Sequence, residues 1–551
     1  MKTLLLPLIL LAVACGAPVF ASGPHISAAR ILERTKILSS DEFEGRSPGT
    51  PGEDKTVEYL VTEFQKLGLA PGNPDGTYVQ NVPLVGIITQ PTLSFTRDGA
   101  TIAMENINDF VGPSSRIANS VSAKDTEVVF VGYGIEAPEF GWDDYKGVDV
   151  RGKTVVMLIN DPPVTDANGQ LDPAIFGGKA MTYYGRWTYK YEIAAAKGAV
   201  ACLIVHETGP AAYPYGVVVG SFSRENFEIS ALDLNAGKVG MAAWLTLDAT
   251  RRLFAGCGLD FDAAKLAAVK RDFQPMSLGA KASFTAENTL RNVASRNVVA
   301  LLPGADPVLK DEYIVFTAHW DHLGIEPKLA GDQIYNGAAD NAAGVAVLLE
   351  LAQAYQALPA DQRPKRSLVF LSVTAEEKGL LGSRYYASAD PLYPLNRTLA
   401  NINMDGANQF GPTSDFVVIG HGASTIDDLA AEIAATQGRV VSGDPRPEAG
   451  SFYRSDHFEF AKVGVPSFYG KSGRKFIGMP ADFADRMVDD YIANRYHKPA
   501  DEVQPDWTFE GAAQDTALLM ELGLRIANGT TWPAWRDGNE FKPKRDAMLA
   551  K

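Results

Sequence analysis

Between residues 313 and 405 the chain repeatedly runs apolar and then stops at a histidine or an acid. Tyr313-Ile314-Val315-Phe316 gives way to His319-Trp320-Asp321-His322, and Ser367-Leu368-Val369-Phe370-Leu371 gives way to Glu376-Glu377. Both apolar runs read as strands. Between them Ala339-Asp340-Asn341 opens a long apolar helix, and a third strand, 399–404, ends at Asp405. In an open α/β sheet, ligands gather beyond the carboxyl ends of the strands. Imidazole and carboxylate groups at consecutive edges supply the nitrogen and oxygen donors that suit zinc.

The same alternation extends on both sides. Strands are expected at 297–302, 312–316, 367–372, 399–404, 416–419 and 465–469. Helices are expected at 341–358, from 382, at 425–436 and at 509–528. Strand and helix in turn predict an α/β fold, a mostly parallel central sheet with helices on both faces. Upstream, apolar residues at helical spacing over 26–67 are interrupted by the loop 45–49, and strands follow at 78–82 and 92–95. From 125 the pattern becomes strands separated by Gly, Pro and acidic loops, with one helix near 191–197. This stretch reads as a β-rich insertion ending near 287, and it holds no set of metal ligands. The expected division is a leader at 1–21, the N-terminal part of the main domain at 22–124, the insertion at 125–287, and the main domain at 288–551.

Lys2, the apolar stretch 4–13 and Val19-Phe20-Ala21 have the layout of a signal peptide. Lipid attachment at Cys15 is the second reading of that segment. No later run approaches the length of a membrane span. The net charge of −15 argues against nucleic acid or an anionic membrane as partner. An exported, periplasmic or secreted protein is expected. Cys202 and Cys257 remain after cleavage. Cys202 sits in an apolar run and reads as a buried small hydrophobe, and export permits a disulfide between the two.

Taken singly, the candidate ligands have ordinary explanations: a loop histidine, a solvated Glu-Glu pair, a helix cap at Asp340-Asn341. Together, His319, Asp340, Glu376-Glu377, Asp405 and His497 make that joint coincidence a poor account. Five ligands with one shared carboxylate suffice for two zinc ions about 3.5–4 Å apart. Asp321 is placed to accept the free N–H of His319 and fix its ring. His322 is the lesser alternative to His319.

His319-x-Asp321, the run Asn336 to Gly344, Thr374-Ala375-Glu376-Glu377-x-Gly379, Asn403-x-Asp405 and Tyr496-His497 resemble metallopeptidase family 28, the two-zinc aminopeptidases. The resemblance covers roughly residues 26–528. It implies a zinc-exopeptidase fold in which Asp340 bridges the metals, with His319 and Asp405 on one zinc and Glu377 and His497 on the other. It further implies that Glu376 is the general base, that the peptide after Asp340 is cis, and that 125–287 is a protease-associated domain. His457, in the Ser455-Asp456-His457 segment that relatives also carry, rivals His497. His497 is preferred because Tyr-His-x-x-x-Asp continues to Asp501, which is then placed to orient it. Tyr453 reads either as a donor to an oxyanion or as packing.

The expected activity is removal of N-terminal residues from peptides. A glutamate-carboxypeptidase-like enzyme is the main alternative, and it needs arginines aimed at a terminal carboxylate, with Arg454, Arg474 and Arg486 as candidates. A single-zinc glutaminyl cyclase is disfavoured by the complete ligand set, and a binding protein with a dead site by the presence of Glu376.

Overall fold

The computed structural model describes residues 26–550; the leader at 1–21 and Cys15 lie outside them. Four parallel strands form the centre of the main domain, in the order Ser367–Val373, Tyr313–His319, Thr398–Asn403, Ser467–Ser472. Along the first pair Ile314, Phe316, Leu368 and Phe370 face one core, while Val315, Val369 and Leu371 face another. Both faces of the sheet are therefore buried, which is why the runs are continuously apolar instead of alternating. The register aligns His319 with Val373 and Thr317 with Asn403. The residues just past those ends, Glu376 and Asp405, thus share one edge with His319.

Helix Ala343–Gln356 lies on the larger core and is buried nearly all round. It packs against the sheet and against helices Ala28–Leu38 and Glu510–Asn528. Its one internal acid, Glu350, is fully buried and paired with Arg30 at 2.6 Å and Arg34 at 3.0 Å. The expected helices at 425–436 and 509–528 are present as Ile426–Thr436 and Glu510–Asn528. Helix Phe483–Asn494, which leads towards His497, was not expected, although Phe483, Met487, Val488 and Tyr491 recur on it at helical spacing; only Ala484 on it is buried.

The insertion departs from expectation in two ways. It is not β-rich but α/β. Ser120–Phe130, Thr154–Leu158, Ala201–His206 and Met241–Thr246 pair in parallel. Helices Trp187–Ala196, Leu247–Gly256 and Phe261–Ala268 accompany them. Those helices are too short to carry a strong periodic signal. The boundaries also move outward, since Leu93, Phe95, Met104, Phe110 and Val121 belong to the insertion's core. Residue 287 falls inside one strand, Met276–Leu302, which pairs with Ser120–Phe130 at one end and with Ser367–Val373 at the other. Val79–Arg97 runs antiparallel along it. A single long ribbon therefore joins the two halves, and a cut at 125 and 287 would sever both Ser120–Phe130 and Met276–Leu302 itself. Cys202 and Cys257 are both free and buried, in cores on opposite faces of the insertion's sheet.

Candidate metal centre

Five of the predicted ligands meet at the sheet edge. His319 Nε2 stands 3.3 Å from Asp340 Oδ1, 3.7 Å from Asp405 Oδ1 and 4.0 Å from Glu376 Oε2. His497 Nε2 stands 3.4 Å from Asp340 Oδ2 and 3.0 Å from Glu377 Oε2. Asp340 thus offers one oxygen to each imidazole, which is the placement of a shared carboxylate. His497 Nε2 is buried and makes no hydrogen bond, although two carboxylates lie this close. A ring nitrogen placed between carboxylate oxygens suits a shared cation, and two imidazoles with four carboxylates are the donor chemistry of a zinc site.

Each side chain has an identifiable support. The peptide between Asp340 and Asn341 is cis, as expected from the resemblance. Asn341 accepts from the N–H groups of Gly344 and Gly406 and donates to the Met404 carbonyl, tying the helix start to the loop of Asp405. Gly337 has φ +54°, and a Cβ there would sit 2.3 Å from the Asp340 carbonyl and 2.6 Å from the His322 ring. Glu376 and Glu377 follow Ala375, itself at φ +52°. Their N–H groups donate to the two oxygens of Asp321, at 3.0 and 3.3 Å.

That last contact corrects the reading of Asp321. His319 Nδ1 meets the main-chain carbonyl of Asp321 at 3.2 Å, while the carboxylate oxygen is 3.7 Å away. The carboxylate is engaged instead in holding the Glu376-Glu377 turn. Asp501 likewise does not orient His497. It accepts the N–H groups of Ala339 and Asp340, each at 3.1 Å, and so aims the bridging candidate. His322 does not join His319 but bonds Glu377 Oε1 through Nδ1 at 2.6 Å. His457 is fully buried outside the cluster, its ring 4.7 Å from that of Tyr469 and 4.8 Å from that of Phe452. Tyr453 donates to Glu540 at 3.1 Å. The phenols at the ligands are Tyr469, whose hydroxyl lies 3.2 Å from Asp405 Oδ2, and Tyr496, stacked on His497 at 3.9 Å. Sequence reasoning missed Tyr469 because nothing in Ser467–Ser472 distinguishes it from a core strand.

The cluster's electrostatics follow from crowding acids around two imidazoles. Burial opposes charge on His319, yet Glu376, Asp340 and Asp405 outweigh it and hold the ring well above its ordinary range. Burial likewise opposes charge on His497, and Glu377 outweighs it. Asp405, against its burial, is brought down to about 2 by Lys471 and His319. Glu376 differs: burial raises it well above the usual carboxyl range, and Glu377 adds to this. The rise sets this carboxyl apart from Asp340, Glu377 and Asp405, which are all lowered.

The cluster opens into a cavity of about 930 Å³. Its walls come from both halves, including Arg186, Trp187 and Tyr213 of the insertion and Tyr469, Arg454 and Tyr496 of the main domain.

Residues 297–520 match the family model of peptidase family M28, a span that contains every residue of the cluster. Through this segment the chain resembles that family. A mouse protein, Aminopeptidase NAALADL1, is 33% identical over 129 residues, 23% of this chain and 16% of the relative. A probable zinc metalloprotease of Pyrenophora teres f. teres (strain 0-1) is 39% identical over 110 residues, 20% of this chain and 22% of the relative. The chain thus spans less than a quarter of the length of these curated relatives. Among solved structures, an aminopeptidase from Aneurinibacillus sp. strain AM-1 covers 91% of this chain and 94% of its own, with a TM-score of 0.48 and 19% identity.

Proposed function

We propose that the protein is a zinc-dependent exopeptidase that removes N-terminal residues from peptides, with two zinc ions held by His319, Asp340, Glu377, Asp405 and His497. Asp340 would be shared, His319 and Asp405 would hold one ion, and Glu377 and His497 the other. Zinc, when bound, acidifies water and polarises a carbonyl. Glu376 accepts the proton of the attacking water as the C–O bond forms, and delivers it to the amine as the C–N bond then breaks. The insertion, which we take to be a protease-associated domain, walls the cleft and excludes bulk water. The leader read at 1–21 would export the chain.

The observation that carries this reading is Glu376. It lies beside His319 with its N–H fixed by Asp321, and it is the carboxyl that burial raises while its neighbours Asp340, Glu377 and Asp405 are lowered. Glu376→Gln should retain zinc and lose several orders of magnitude in kcat on aminoacyl-anilides. Near-normal kcat would refute the assignment.

A second reading, a carboxypeptidase-like enzyme, draws support from two arginines. Arg186 is 7% exposed and its Nε has no hydrogen-bond partner, while Arg454 lies 5.2 Å over the ring of Tyr213. Both line the cavity. Arg474 pairs instead with Asp485 and Arg486 with Asp482. Peptides with free and amidated C-termini separate the two readings. Cleavage that requires the free carboxylate and leaves the N-terminal residue in place would favour the second.

A further inference from the structure

Arg46 lies in the loop that the sequence pattern marks only as an interruption between two helices, and it comes from a part of the chain far from every ligand. Its side chain is 1% exposed. The guanidinium makes four hydrogen bonds, all to main-chain carbonyls: Nε to Trp320 at 2.8 Å, one terminal nitrogen to Leu38 at 2.6 Å and Asn336 at 2.7 Å, the other to Gly337 at 2.9 Å. Its own carbonyl accepts the N–H of His322 at 3.2 Å. Trp320 follows His319 directly, and Asn336 and Gly337 open the turn into Asp340. The chain bends to deliver this side chain, since Glu44, Gly45 and Arg46 all have positive φ. A Cβ on Gly45 would sit 2.6 Å from the Gly324 carbonyl and 2.7 Å from that of Tyr335, so only glycine fits this turn.

Burying a guanidinium is unfavourable unless its N–H groups and its charge are both answered. Carbonyls answer the N–H groups. Burial lowers its pKa to about 10, and the charges that oppose this drop are Asp501, Asp321, Asp340 and Glu377. Those are two of the candidate ligands and the two acids that hold them.

We propose that Arg46 is a positioning residue of the metal centre: its planar fork clamps the loop leaving His319 to the loop entering Asp340, and so sets the gap that the ions must fill. This rests on the zinc reading above. A packing role alone would stabilise the fold equally with or without metal, whereas a clamp on the ligand loops must also appear in the affinity for zinc.

Two variants separate these effects. Arg46→Lys keeps the charge, but a single ammonium nitrogen cannot reach four carbonyls in a fork. Arg46→Gln removes the charge as well, and losing a positive charge would by itself tighten cation binding. Weaker binding in the glutamine variant therefore isolates the lost positioning. The measurement is the zinc dissociation constant of the full chain, by competition with a chromophoric chelator, beside the unfolding midpoint of the metal-free protein. Supporting outwardly different routes to one result, both variants should weaken zinc binding about 10–100-fold, the range for groups that orient metal ligands. If one variant does not fold, the other carries the measurement. Unchanged zinc affinity with a lowered midpoint, or tighter binding in Arg46→Gln, overturns the proposal alone. Wild-type protein that took up no zinc would overturn the metal reading and this proposal with it.

Discussion

Lys190→Met tests how the insertion holds its side of the cleft. Lys190 is fully buried on helix Trp187–Ala196, and its ammonium donates to the carbonyls of Tyr133 at 2.6 Å and Asn160 at 3.1 Å. Burial lowers it to about 8, against the pull of Asp161 and Asp144. Burial raises those two acids to about 7 and about 6. Removing one member of a buried charge group costs about 3–5 kcal/mol. Stranding the carbonyls accounts for about 1–3 kcal/mol of this. The remainder depends on pH, and its sign can be worked out. An acid whose folded pKa is raised keeps its full stability contribution below its unfolded pKa and loses it as pH rises through the folded value. Without Lys190 both aspartates rise further, so the loss deepens above pH 6. Lys190 itself adds nothing variable there, because its depressed folded pKa changes stability only above about 8. The deficit against wild type should be about 1–3 kcal/mol at pH 5 and about 3–5 kcal/mol at pH 7.5. Urea unfolding followed by tryptophan fluorescence reads it. A deficit equal at both pH values, or larger at pH 5, would refute the reasoning. The helix also presents Trp187, Tyr191 and Glu192 to the cavity, so KM should rise for peptides more than for small anilides.

Asp501→Asn replaces an acceptor of two N–H groups by a side chain with one acceptor oxygen, and should weaken zinc binding by about 10–100-fold in the same chelator competition. Tyr453→Phe should leave kcat within about twofold, since its hydroxyl serves Glu540. Tyr469→Phe removes the phenol beside Asp405 and should lower kcat/KM by roughly tenfold or more in the same assay. The reverse ranking would return the role to Tyr453.

The main sheet was legible because its strands are buried on both faces and end abruptly at ionisable groups. Tyr313–His319 and Ser367–Val373 announce themselves through uninterrupted apolar residues, and their ends point to His319 and Glu376. The insertion was harder to read. Met276–Leu302 has Lys281, Glu287, Arg291 and Arg296 along it, and its burial alternates, so it looks like several short strands. The parallel strands beside it are linked by helices of ten residues or fewer, which carry little periodic signal. The candidate ligands could be picked out locally, but the contacts that support them could not. Asp321 holding the Glu376 turn, Asp501 holding Asp340 and Arg46 spanning two loops are all contacts between distant segments. Spacing along the chain shows none of them. Tyr453 was the nearer phenol in sequence to the Ser-Asp-His segment, yet the turn before it carries the hydroxyl towards Glu540.

The central claim is that one shared aspartate and four other side chains hold two metals. Elemental analysis of zinc-reconstituted, desalted protein tests it most directly. Wild type and His457→Ala should each carry about two zinc ions per chain, and His497→Ala about one, as a two-metal site with one terminal imidazole on each ion requires. One ion in the wild type, or two retained in His497→Ala with one lost in His457→Ala, would contradict the account.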